Sequence, residues 1–95
     1  MPASPVLTSV NGNWSNVVVV WAHYTVPPDS FNLYYKRSAD SSWLLHHNQP
    51  GEYGLYTGLT PQTAYDFCVT AIEDSVESNP SNVLSFTTLN APQPR

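Results

Sequence analysis

The chain has 95 residues and a formal net charge of −4 at pH 7, and 41% of its residues are hydrophobic. A chain of this length forms one domain around one apolar core. Its basic residues are Lys36, Arg37 and Arg95, which are too few for the multiple phosphate contacts of nucleic-acid binding. No apolar run reaches the ~20 residues that a membrane-spanning helix needs. We therefore expect no nucleic-acid partner and no membrane insertion.

Short runs of β-branched and aromatic residues alternate with turn-forming residues along the whole chain, a pattern typical of an all-β sandwich. Helix signals are almost absent. Residues 90–95 read as an extended linker. In chain order, the seven predicted strands are A (Pro5–Ser9), B (Val17–Tyr24), C (Phe31–Arg37), C′ (Trp43–Leu45), E (Tyr53–Thr57), F (Ala64–Glu73) and G (Val83–Thr88).

Alternation with a period of two residues assigns the inward face of each predicted strand. In strand F the apolar residues share one side, and Cys68 lies on the other. We therefore expect the Cys68 thiol to face outward, partly covered by neighbours such as Tyr34, and to be an ordinary, non-catalytic thiol. The predicted core residues are Trp21, Leu33, Tyr35, Leu59, Tyr65, Phe67, Val69 and Phe86.

Cys68 is the sole cysteine, which excludes an internal disulfide and a cysteine-rich zinc site. Core packing alone must then hold the fold, and we expect no cofactor. The run "TPQTAYDFCVTAI" (residues 60–72) places Tyr65 just after a proline-led turn. This position is typical of the tyrosine corner of Greek-key sandwiches, whose hydroxyl bonds to the corner backbone.

Several segments, taken together and in order, resemble a fibronectin type III domain over residues 5–89. They include Trp21 on strand B and Trp43 on C′, and they read "PVLTSV", "VVVVWA", "FNLYYK", "YTGLTPQTAYDFCVTAI" and "SNPSNVLSFTTL". The resemblance implies a seven-stranded, immunoglobulin-like sandwich in which sheet A-B-E packs against sheet C′-C-F-G.

The sequence contains no pattern that indicates catalysis or metal binding. His46 and His47 are adjacent, and adjacent strand residues point to opposite faces, so we do not expect them to share a metal ion. Glu73, Asp74 and Glu77 are interpreted as solvated loop residues, because they lack calcium-loop spacing and a glycosidase cleft. No nucleophile, phosphate-loop or dinucleotide motif occurs. We predict that the isolated domain is not an enzyme.

Two functions fit these observations. The preferred one is a monomeric spacer or protein-interaction module of a larger multidomain protein, for example a polysaccharide-degrading enzyme, with its neighbouring domains or another protein as partners. The low charged fraction, 11%, favours a secreted or surface protein. The alternative is a carbohydrate-binding module in which Trp14, Tyr24 and Tyr34 stack on the sugar rings of a polysaccharide.

Overall fold

The computed structural model describes residues 3–22, 28–51 and 53–91. Within these ranges the regular structure is entirely β, and no helix is long and apolar enough to cross a membrane. The strands are β1 (Leu7–Gly12), β2 (Val17–Trp21), β3 (Ser30–Arg37), β4 (Leu44–Gln49), β5 (Tyr53–Tyr56), β6 (Ala64–Glu73), β7 (Val76–Glu77) and β8 (Leu84–Thr87).

The strands form two antiparallel sheets. One sheet has the order β1-β2-β5, and the other has the order β4-β3-β6, with both β7 and β8 paired to β6. These sheets correspond to the predicted A-B-E and C′-C-F-G sheets. The predicted all-β, immunoglobulin-like sandwich is therefore confirmed, and it contains one short additional strand, β7.

Strand bounds agree best where burial is strongest. The predicted strand F and β6 coincide at Ala64–Glu73, since its inward positions are uniformly apolar. The predicted strand C′ is present as β4, but its predicted end was wrong, because β4 runs on to Gln49 along β3. Pairing with β3 there outweighs the low strand propensity of polar residues. The predicted strand A begins and ends earlier than β1, which runs over Leu7–Gly12. The predicted strand B extends past β2, which ends at Trp21, and its last two residues lie outside the described residues.

The core draws on both sheets. Trp21 is 3% exposed, and its ring centroid lies 4.7 Å from that of Phe31. Tyr35 and Phe86 are half-buried and pack against the same cluster. Among the other predicted core residues, those that are buried are Leu33, Leu59, Tyr65, Phe67 and Val69.

Tyr56 on β5 is a core residue that the sequence analysis did not single out. It is fully buried, and its ring centroid lies 4.7 Å from that of Phe67. Its hydroxyl donates to the Tyr34 carbonyl oxygen at 2.8 Å. Burial raises the pKa of the phenol, so Tyr56 remains a neutral hydrogen-bond donor that joins one sheet to the other.

Tyr65 stands at the corner between β5 and β6. Its hydroxyl oxygen accepts the backbone N–H of Thr60 at 3.0 Å, while its ring lies in the core. This is the contact that the tyrosine-corner prediction describes. The buried Thr88 hydroxyl donates to the Thr60 carbonyl at 2.6 Å, so the corner is also tied to the chain after β8.

Candidate binding pocket on the outer face of the larger sheet

The β6–β7 turn sets the position of the candidate site. Asp74 and Ser75 form the turn, with φ angles of 51° and 65°. Two successive positive φ angles are typical of a tight two-residue hairpin. The turn pairs Ile72 with Glu77 across β6 and β7, which places the Glu77 side chain beside the outer face of the larger sheet.

Beyond β7 the chain stays attached to β6 through two buried serines. The N–H of Ser78 donates to the Ala71 carbonyl at 2.8 Å, and that of Ser81 donates to the Val69 carbonyl at 2.9 Å. In return, each serine hydroxyl oxygen accepts the N–H of the same β6 residue at 2.9 Å. Pro80 lies between the serines and has no N–H to donate. The serines thus satisfy buried backbone groups that a regular ladder would otherwise satisfy.

The Glu77 carboxylate is held by three hydrogen bonds from two neighbouring strands, β3 and β6. Its Oε2 atom accepts the hydroxyls of Tyr34 and Thr70, each at 2.6 Å, and the side-chain amide of Asn32 at 3.2 Å. Hydrogen bonds from Thr70 and Tyr34 hold the pKa of Glu77 below its usual range. Burial, reinforced by the bond to Glu77, raises the pKa of Tyr34. At neutral pH the site therefore contains a carboxylate and a neutral phenol.

Glu77, Tyr34 and Thr70 border a pocket of about 230 Å³. Trp43, which is 37% exposed, contributes a second aromatic ring. The ammonium group of Lys36 lies 5.3 Å from the centroid of that ring and forms an ion pair with Asp66 at 3.0 Å. The lining residues are Tyr34, Trp43, Cys68, Thr70, Glu77, Ser78 and Pro80.

Cys68 lies on the outer side of β6 in the floor of this pocket, but it is only 4% exposed. The prediction of a partly covered thiol was wrong in degree, because it did not include the added β7 and the segment 78–81. Burial raises the pKa of the thiol to about 11. The sulfur is therefore protonated at neutral pH and is a poor nucleophile. Among the described lining residues, no histidine or lysine is present as a general base.

The two predicted sugar-binding residues that the structure describes do not share one surface. Tyr34 lies in the pocket, whereas Trp14 lies in the turn between β1 and β2 of the other sheet and is 39% exposed. Tyr24 is outside the described residues. Sequence reasoning missed Trp43 and Glu77 as site residues. Glu77 reaches Tyr34 from 43 positions away, and Trp43 joins them because it lies just before β4, the strand that pairs with β3.

The histidine pair departs from the expected alternation. The β3–β4 register shifts between Leu33↔His47 and Tyr34↔Leu45, so His46 is the extra residue of a bulge. A bulge interrupts the alternation of side chains. The rings of His46 and His47 therefore contact each other through their Nδ1 atoms. The prediction that they point to opposite faces was wrong.

The outer nitrogens of both rings are also bonded. His46 Nε2 accepts the Thr57 N–H at 3.3 Å, and His47 Nε2 bonds to Gln49 Oε1 at 2.5 Å. Burial, together with the neighbouring His47, lowers the pKa of His46. No group of three or more potential metal-ligating residues exists in the described part of the chain. The pair is a hydrogen-bonded link between β4 and the residue after β5.

Comparison with known proteins identifies the family. The sequence matches the model for the fibronectin type III domain over residues 3–87. No curated protein sequence matches the chain. The family model thus covers most of the sequence.

Three solved structures illustrate the likeness. A fourth FNIII domain from human is 20% identical, with a TM-score of 0.81, over 100% of this chain and 85% of that one. The domain of human fibronectin type III domain containing protein 3 is 28% identical, with a TM-score of 0.73, over 96% and 86%. A β-1,2-glucanase from Parabacteroides distasonis is 16% identical, with a TM-score of 0.82, over 95% and 13%. On its family match and its fold, the chain belongs to the fibronectin type III domain family.

Proposed function

We propose that this domain is a non-catalytic module that acts as a spacer or protein-interaction domain within a larger secreted or surface protein. Domains of this family are generally modules for spacing or interaction. The partners that this domain contacts permanently are the neighbouring domains of the parent protein. The parent protein that we favour is a polysaccharide-degrading enzyme. Support comes from the β-1,2-glucanase, because a region that makes up 13% of the glucanase chain has this fold.

The observation that carries an interaction role is the pocket on the outer face of the larger sheet. Its volume of about 230 Å³ is below the ~300–1,000 Å³ of pockets that enclose drug-sized ligands. It suits one side chain of a protein partner better than a whole small molecule. Its rings, Tyr34 and Trp43, belong to residue types enriched at protein interfaces.

A polysaccharide ligand has less support. Sugar-binding sandwiches need aromatic rings in one row, and Trp14 and Tyr34 lie on different parts of the molecule. The pocket also lacks an activated nucleophile, because its thiol is protonated and the Glu77 carboxylate beside it already accepts three hydrogen bonds. We therefore assign no hydrolytic step to the domain itself.

Selection of phage-displayed random peptides on the purified domain tests the interaction role. We expect selected peptides to lose affinity for Trp43→Ala and to keep it for Trp14→Ala, a matched control with nearly equal exposure, 37% against 39%. Equal binding to both variants would contradict the assignment of the pocket. Retention of the domain on insoluble cellulose, xylan or chitin, lost in Trp14→Ala, would instead support the carbohydrate-binding function.

A further inference from the structure

The hydrogen bonds around Glu77 determine which polar atoms the pocket leaves free. Tyr34 and Thr70 both donate their hydroxyl protons to Glu77 Oε2. The hydroxyl of Ser78 donates to the Asn79 carbonyl at 2.8 Å. The three lining hydroxyls have therefore used their donor capacity, and only their lone pairs remain. Glu77 Oε1 accepts no hydrogen bond from the described residues.

The pocket thus presents acceptors and almost no donors. The exceptions among the lining residues are the buried Cys68 thiol, whose S–H is a weak donor, and the indole N–H of Trp43 at the pocket edge. A phosphate or carboxylate ligand needs several N–H or O–H groups, and one indole N–H beside an ionised carboxylate does not supply them. A ligand rich in donors finds a fixed carboxylate oxygen together with the free lone pairs of two hydroxyls.

The local charge favours a cation. Glu73, Asp74 and Glu77 lie on one hairpin, and the three bonds to Glu77 keep its carboxylate ionised. Lys36, the cation nearest to Trp43, does not neutralise them, because its ammonium group is bound to Asp66 at 3.0 Å and to the Asp40 carbonyl at 3.0 Å.

The aromatic lining favours a cation that can stack. Tyr34 and Trp43 both border the cavity, and Trp43 already contacts the Lys36 ammonium at 5.3 Å. Cations within about 6 Å of a ring centroid are attracted by its quadrupole. A guanidinium group is planar, stacks on aromatic rings and presents five donors in a fork, whereas an ammonium group does not stack.

We propose that this pocket binds the guanidinium group of an arginine side chain from a partner protein. The inference rests on the proposed interaction function and adds the chemical identity of the group that the pocket recognises. One N–H group of the guanidinium reaches Glu77 Oε1, another bonds to the Tyr34 or Thr70 oxygen, and the plane lies against an aromatic ring.

Titration of the ¹⁵N-labelled domain with acetyl-Ser-Arg-Ser-amide tests the proposal. We expect saturable shifts of the Thr70 and Glu77 amide signals and of the Trp43 indole N–H. The Gln peptide, acetyl-Ser-Gln-Ser-amide, should bind at least about tenfold more weakly, since it lacks the charge. Glu77→Gln should weaken binding of the Arg peptide by at least about tenfold, because it removes the carboxylate.

Glu73→Gln is the matched control, because it removes the same charge from the same hairpin outside the pocket lining. It should leave the affinity within about twofold, as expected for a solvent-exposed charge. Trp43→Leu offers a second test that leaves the Glu77 hydrogen bonds in place, and it should also weaken binding of the Arg peptide. Spectra of each variant outside the pocket establish that the fold is intact.

Three results would overturn the arginine assignment. They are no saturable shift at the pocket, equal weakening by Glu73→Gln and Glu77→Gln, or tighter binding of the lysine analogue acetyl-Ser-Lys-Ser-amide or of cellohexaose. These results are distinct from failure of the proposed function. Peptides selected on the domain that bind at Trp43 without an arginine would refute this inference and leave the interaction role intact.

Discussion

The side-chain hydrogen bonds that lie beside the two ends of β6 differ in range. Near its start, the Tyr65 hydroxyl accepts the N–H of a residue only five positions earlier. Near its other end, Glu77 accepts Tyr34 and Asn32, which lie 43 and 45 positions away. The first contact is local and belongs to the corner that joins the sheets. The second forms only after β3, β6 and β7 have paired.

This difference suggests that stability and recognition are separable in the molecule. The core and corner determine whether the chain folds, whereas the Glu77 cluster, on a half-exposed face, determines what the folded chain can contact. Substitutions in the core and corner should then cause large losses of stability. Substitutions in the Glu77 cluster should cause large losses of binding.

Trp21→Ala should have the largest effect on the folding side. Its buried ring packs on Phe31 at 4.7 Å, and truncation of a buried Trp costs about 3–5 kcal/mol in free energy of unfolding. Urea unfolding followed by circular dichroism measures the loss. A midpoint close to that of the parent domain would mean that the core does not depend on this ring.

Ser81→Ala tests the attachment of the segment after β7. The Val69 N–H, which donates to the Ser81 hydroxyl at 2.9 Å in a buried position, would be left without a partner. We expect a loss of about 1–3 kcal/mol, measured by urea unfolding, with Ser85→Ala at an exposed position of β8 as the control. An equal loss in the two variants would remove the special role of Ser81.

Tyr65→Phe tests the corner and should have a smaller effect. The ring stays in the core, and only the bond from the Thr60 N–H at 3.0 Å is lost. Because Thr60 is exposed and water can replace part of that bond, we expect about 1 kcal/mol. A neutral substitution would show that the corner is held by the Thr88 contacts alone.

Stability should decrease in mildly acidic solution through His46. Burial lowers its pKa below the usual 6.5, so the unfolded chain binds a proton more readily than the folded one. The stabilisation is complete above about pH 6.5 and is lost as the pH falls below that value. The carboxyls of Asp66 and Glu77 have depressed pKa values and lose their stabilisation at lower pH.

Urea midpoints at about pH 7.5 and about pH 5.5 measure this effect, and the difference should shrink in His46→Gln. A difference of the same size in that variant would assign the pH dependence to another group.

Glu77→Gln should have the smallest effect on stability, within about 0.5 kcal/mol, as is usual for surface positions. The amide can still accept the Tyr34 and Thr70 hydroxyls. A thermal melt checks this result. A large drop in stability would show that the cluster supports folding, and it would remove the separation between the two regions.

The predictable part of the structure is the part fixed by local pattern. Alternation on β6 predicted its bounds, and Tyr65 after its proline-led turn predicted the corner, because both depend on neighbours in sequence. Glu77 and Trp43 were not recognised as site residues, since the pocket that they share takes its lining from β3, β6, β7 and the residue before β4. The contact between His46 and His47 was not predicted, because a bulge interrupts the alternation of side chains that sequence reasoning assumes.

The labelling rate of the buried Cys68 thiol reports how often the domain opens locally. A thiol that is 4% exposed and has a pKa of about 11 reacts with a labelling reagent only while its cover is displaced. The ratio of its labelling rate to that of an unstructured cysteine then gives the fraction of time spent open. Ser81→Ala can be compared with the parent domain through two free energies, that of local opening from the labelling rate and that of global unfolding. A larger decrease in the free energy of opening would show that the segment 78–81 opens independently of the core.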